Sequence, residues 1–96
     1  MATYIVLSTF TDQGIRSVKD TTKRADAVRE TARKMGIEMK SIYWTVGKYD
    51  VVATFEAPDD ASMTALSLTL GSAGNIRTQT MRAFTKEEVT GILGKV

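Results

Sequence analysis

Between Ser41 and Ala57, two runs rich in β-branched and aromatic residues flank Gly47-Lys48. That arrangement is a β-hairpin signal, and it constrains the rest of the chain. With Gly47 and Lys48 as the two turn residues, Val46 faces Tyr49, Trp44 faces Val51 and Ile42 faces Ala53. These residues and Phe55 share one almost wholly apolar face. Ser41, Tyr43, Thr45, Asp50, Val52, Thr54 and Glu56 share the other, which is mixed. An apolar sheet face must be covered. The remaining sequence therefore has to supply helices that pack on it, and Trp44, alternating with Ile42 and Val46, reads as core.

The flanking segments supply them. Thr3 to Phe10 alternates as a first strand, with Tyr4, Val6 and Phe10 on one side and Ile5 and Leu7 on the other. A strand wetted on one face would alternate more cleanly, so both faces are expected to be covered. Thr11-Asp12-Gln13-Gly14 breaks the strand, and Thr11 can cap a short turn through Ile15 to Val18. After Asp20-Thr21-Thr22, Ala25, Val28, Ala32 and Met35 form one helical stripe that Gly36 stops. The second strand is expected over Ile37 to Val46 and the third over Tyr49 to Ala57.

Pro58-Asp59-Asp60 opens a second helix, with carboxylates at the positive end of its dipole. Met63, Leu66 and Leu70 give its stripe; Ala61, Ala65 and Leu68 widen it, predicting a well-buried helix that ends at Gly71 to Gly74. Asn75 to Phe84 reads as a fourth strand. Thr85-Lys86-Glu87-Glu88 is a capping box before a short C-terminal helix ending near Gly94.

The order strand, helix, strand, strand, helix, strand is the split βαβ, or ferredoxin-like, pattern. It predicts an α+β domain spanning residues 1–96, a four-stranded antiparallel sheet with both helices on one face. The other face would be bare in a monomer, and pairing with a second copy would close a dimeric α/β-barrel. A homodimer, or a higher oligomer, is therefore expected.

Composition narrows the chemistry. The chain has no Cys and no His. Disulfides, thiolate or imidazole metal ligands, cysteine nucleophiles and imidazole-based triads are excluded, and no metal site or cofactor is expected. No apolar run approaches the roughly 20 residues that span a bilayer. The N-terminus enters a strand pattern without a basic leader, so a cytoplasmic protein is expected. The net charge is +2. Its basic surplus falls between Arg16 and Lys40, which reads as a solvated helix face with local pairs such as Glu30 and Lys34.

Three blocks carry a family resemblance: Thr9 to Arg16 (Thr-Phe-Thr-Asp-Gln-Gly-Ile-Arg), Gly47 to Val52 (Gly-Lys-Tyr-Asp-Val-Val) and Arg77 to Phe84 (Arg-Thr-Gln-Thr-Met-Arg-Ala-Phe). Together they resemble the GYD-domain family, whose Gly, Tyr and Asp fall at Gly47, Tyr49 and Asp50. The resemblance implies a ferredoxin-like domain of the dimeric α/β-barrel type and implies no activity. The Gly47 to Asp50 turn is also similar to that of the effector-binding domains of leucine-responsive-type regulators. This chain lacks the helix-turn-helix that precedes such domains, so ligand sensing rests on analogy.

The candidate site residues follow from the mixed face and the turns. Tyr43, Thr45, Asp50, Thr54, Glu56 and Arg82 could line a cavity between paired sheets, as could Arg77. Gln13 and Arg16 could receive an anion beside the Thr11 turn. Each has a structural alternative: Asp50 can accept backbone amides, Thr11 can cap, and the strand charges can pair across the sheet. The third strand also bears on RNA recognition. That motif needs Gly after the basic residue, whereas here Gly47 precedes Lys48 and Asp50 adds negative charge, which argues against nucleic acid. The sequence thus points to a homo-oligomeric ligand-binding or assembly module. A cofactor-independent isomerase, decarboxylase or monooxygenase acting on a small acidic or aromatic compound, through Asp50, Glu56, Tyr43 and Arg82, is the alternative.

Overall fold

A computed structural model describes residues 1–96. The elements run β1 (Ala2–Phe10), α1 (Asp12–Arg16), a 3₁₀ turn (Val18–Asp20), α2 (Thr21–Lys34), β2 (Glu38–Trp44), β3 (Val51–Ala57), α3 (Asp60–Ser72), β4 (Ile76–Ala83) and α4 (Lys86–Leu93). The strands form one antiparallel sheet in the order β2-β3-β1-β4. This is the ferredoxin-like arrangement.

Alternation decides which side of the sheet is covered. In β1 Tyr4, Val6 and Ser8 are buried, and they pair across the sheet with Phe55, Ala53 and Val51. Ala32 of α2, Met63 and Leu66 of α3, and Ile37 complete that layer. Phe55, Ile37, Met63 and Leu66 are the largest fully buried side chains. Each contributes about 1.5–3 kcal/mol through burial. No core residue comes from the opposite face, where Ile5 and Leu7 stand beside Val52 and Met81.

The helix ends follow local chemistry. Gly36 adopts φ 76°, a left-handed conformation suited to glycine. Ile37 N then donates to Ala32 O at 2.9 Å and Gly36 N to Arg33 O at 3.1 Å, closing α2 with a Schellman motif. The Asp59 carboxylate accepts from Ser62 N at 2.7 Å at the start of α3. Thr85 and Glu88 exchange the two capping-box bonds at the start of α4, as the sequence predicts.

Four expectations are corrected. The β2–β3 connection has six residues, 45–50, rather than two, and Val46 and Tyr49 leave the ladder. Asp50 is drawn toward β1 instead, its amide donating to Ser8 O at 2.9 Å. Trp44 is 43% exposed and Val46 fully exposed, because β2 is an edge strand that ends there. The α3 stripe is narrow: Leu68 is 69% exposed, since two residues beyond Leu66 is the far side of a 3.6-residue turn. Finally, Glu30 takes Arg33 at 2.6 Å, not Lys34. The β2 register also shifts between Met39 and Ser41, leaving Lys40 bulged on the edge.

Candidate functional site

The C-terminal end of β1 is where the most distinctive residues of the chain meet. Asp50 Oδ2 accepts from Phe10 N at 2.9 Å, and Thr45 N donates to Asp50 O at 2.8 Å. Thr45 Oγ1 closes the loop on itself by donating to Tyr49 O at 2.6 Å. Gly47 at φ 147° gives the loop a conformation that a side chain would disfavour. Tyr49 reaches over β1, and its hydroxyl donates to Gln79 Oε1 of β4 at 3.1 Å. Gly, Tyr and Asp thus each have a defined job in tying one loop to two strands.

The Thr11 turn docks at the same end. Thr11 Oγ1 donates to Gly74 O at 2.5 Å and accepts from Gly14 N at 3.1 Å, while Thr11 N donates to Asn75 O at 3.1 Å. Gly14 packs so closely that a Cβ there would stand 1.9 Å from Asn75 O. Gln13 Nε2 donates to Ala73 O at 3.2 Å and to Asn75 Oδ1 at 3.1 Å. Gln13 is therefore engaged with the α3–β4 turn, and Arg16 is exposed in the last turn of α1.

The remaining candidates are spread over both faces. Tyr43 is 65% exposed on the bare face. Thr54 Oγ1 lies 2.6 Å from Ser41 Oγ, and Glu56 lies 3.9 Å from Lys40 Nζ. Tyr43 pairs with Val52, so Glu56 stands four residues further along β3, about 13 Å away. Arg77, opposite Thr9, belongs to the bare face as well. Arg82 does not. It pairs with Tyr4, on the face the helices cover, whereas Glu56 pairs with Thr3. The intersheet role expected for Arg82 is thereby corrected.

Arg82 belongs to a second cluster. Its guanidinium carbon lies 5.6 Å from the Tyr4 ring centroid and 4.4 Å from that of Phe84. It donates to the carbonyls of Thr3 and Ala83 and approaches Glu88 at 3.9 Å. Tyr4 Oη donates to Asp60 Oδ1 at 2.5 Å. That bond, reinforced by burial, raises the Tyr4 pKa above its ordinary value of 10.0. The cluster joins β1, β4, α3 and α4.

The three sequence blocks thus converge on one sheet and its loops, and the loop built by Gly47, Tyr49 and Asp50 is a defined structural unit. The GYD domain family matches residues 4–93. The chain belongs to the GYD-domain family. It is 37% identical over 84 residues to a protein of Thermus thermophilus, the "glutamine synthetase and cystathionine beta-lyase binding protein". The match covers 86% of this chain and 88% of that relative.

The GYD signature therefore has an architectural meaning here. Two features escape the sequence reading. One is the Tyr49–Gln79 bond, which needs β4 beside β1. The other is a set of openings on the helix side around Arg24, whose signal is the short side chains at Ala25, Ala27 and Thr31. No helix is long and apolar enough to cross a membrane.

Proposed function

We propose that this GYD protein is a non-catalytic binding module that pairs with itself through the bare face of its sheet and docks on other proteins, metabolic enzymes among them. The observation that carries the reading is that face. Ile5, Leu7, Val52 and Met81 form an apolar strip on it, Tyr43 stands beside them, and the core lies wholly on the other side. Contiguous apolar surface of this kind marks association sites. Two such sheets packed face to face form a closed barrel, with Tyr43, Thr54 and Glu56 around the interface and a cavity between the sheets that can take a small molecule.

The Thermus thermophilus relative is a binding protein for glutamine synthetase and cystathionine beta-lyase, which supports protein partners for this chain, enzymes of that kind among them. A module acting on such enzymes works in the cytoplasm, as one domain over residues 1–96. Binding fits the side-chain chemistry better than catalysis. The Asp50 carboxylate holds the Phe10 amide, and Glu56 and Arg82 stand on opposite faces.

The test is direct mixing. The purified protein is combined with the host's glutamine synthetase, and separately with its cystathionine beta-lyase, and resolved by size-exclusion chromatography with light scattering. A stoichiometric complex with either enzyme is the expected result. Separate elution from both contradicts the protein-partner reading.

A further inference from the structure

The helix-covered side of the sheet holds room that the core does not fill. A pocket of about 70 Å³ lies between α2 and the sheet, lined by Val6, Ala25, Trp44, Ala53 and Phe55 among others. A cleft of about 270 Å³ adjoins it between α2 and α3, where Ala27, Thr31, Thr69 and Ala73 are the small lining residues. Arg24, Val28, Leu70 and Ile76 line both. The cause is side-chain size: Ala, Thr and Val stand where Leu or Phe would close the gap. Protein interiors are otherwise packed to crystal-like density. The larger space approaches the lower end of ligand pockets, about 300 Å³, which are mostly apolar with a few placed polar groups.

Arg24 is the one charged residue lining either space. Its guanidinium is held but not neutralised. Nη1 donates to Ser17 O at 2.8 Å and Ser17 Oγ at 3.0 Å, and Nη2 donates to Gly14 O at 3.2 Å. All three acceptors are uncharged, and Arg24 takes part in no salt bridge. A half-buried, oriented guanidinium beside apolar walls favours a planar anion. Thr21, the first residue of α2, lines the smaller pocket beside Arg24. Its hydroxyl accepts from Trp44 Nε1 at 3.0 Å, which fixes the indole there.

We propose that this space binds a small monocarboxylate with an apolar body, its carboxylate on Arg24 and its body along Val28, Leu70 and Ile76. One cation and long apolar walls suit a monoanion; a phosphate ester would call for more positive charge. The site lies on the opposite side of the sheet from the face that carries self-pairing, so each stands without the other.

The probes are hexanoate and benzoate, with hexanol and hexylamine as neutral and cationic matches for hexanoate. Each is titrated into the full chain. Emission of Trp44, the only tryptophan, and backbone amide resonances are followed. Saturable binding of at least one carboxylate is expected, with shifts at Arg24, Val28, Leu70 and Ile76 and none from hexylamine. Arg24→Gln should weaken the carboxylate about tenfold, the scale of a charge-assisted hydrogen bond, and leave hexanol unaffected. Because Arg24 also tethers α1, Ala25→Val serves as a second variant. It narrows the pocket without touching the guanidinium and should weaken both hexanol and the carboxylate. Absence of saturation with both carboxylates would overturn the proposal. So would shifts confined to the bare sheet face, hexylamine binding as hexanoate does, or full carboxylate affinity in both variants.

Discussion

Asp50 Oδ2 accepts the backbone amide of Phe10 at 2.9 Å, joining the loop after β2 to the last residue of β1 across 40 positions of sequence. The family's aspartate thus caps a strand end that would otherwise leave a donor unpaired. Asp50→Ala removes the acceptor and should cost about 1–3 kcal/mol, the range for an orphaned amide. Asp50→Asn keeps an oxygen in place and should cost clearly less. Chemical denaturation of the two variants separates them, and equal losses would show that the carboxylate's acceptor role is not what matters.

Gly14 and Gly91 should respond to alanine in opposite directions. A Cβ on Gly14 would meet the backbone Asn75 O at 1.9 Å, and backbone cannot swing aside as a flexible side chain would, so the Thr11 turn must shift. Gly14→Ala should destabilise by about 1–3 kcal/mol, as overpacking does. Gly91 sits inside α4 with nothing within 4 Å. Gly91→Ala should stabilise that helix by up to about 1 kcal/mol. Urea midpoints that move the same way in both variants would contradict this.

The α3 helix offers a comparison within three residues. Leu66 is fully buried, and Leu66→Ala should cost about 2–5 kcal/mol. Leu68 points outward, and Leu68→Ser should stay within about 0.5 kcal/mol of wild type. A large loss at Leu68 in thermal melts would mean that this side of α3 is covered in solution.

Stability should fall at both pH extremes for different reasons. The folded-state pKa of Tyr4 is raised, first by its bond to Asp60 and then by burial. Its contribution is complete below the ordinary value of 10.0 and is lost as pH rises through the higher folded value. Asp59 and Glu88 are held below the usual carboxylate range, chiefly by the backbone amides of Ser62 and Thr85. Their contribution is present above that range and disappears as pH falls through the lowered values. Tm should therefore be flat near neutrality. Tyr4→Phe should remove part of the alkaline fall, together with the late-appearing part of the tyrosinate absorbance. A fall that Tyr4→Phe leaves intact would contradict the assignment.

The sequence made much of this readable because strand and helix periods are local. Alternation placed Ile42, Ala53 and Phe55 together, and capping residues located the starts of α3 and α4. Even the wrong turn preserved the register. A two-residue and a six-residue connection centred on Gly47-Lys48 both set Trp44 against Val51. The long-range choices were hidden. Asp50 leaves β3 because Phe10 and Ser8 of β1 claim it, and Arg82 separates from Glu56 because β4 pairs Arg82 with Tyr4. Those outcomes depend on partners far along the chain. The openings around Arg24 carry a sequence signal in the short side chains at Ala25, Ala27 and Thr31, but they exist only once α2, α3 and the sheet are brought together.

The central claim is that the bare sheet face is an association surface, and sedimentation equilibrium at low micromolar concentration tests it most directly. The wild-type chain should sediment at twice its own mass, and a Leu7→Glu, Val52→Glu double variant should sediment as a folded monomer. A wild-type chain that remains monomeric, or a double variant that remains dimeric, would contradict the claim.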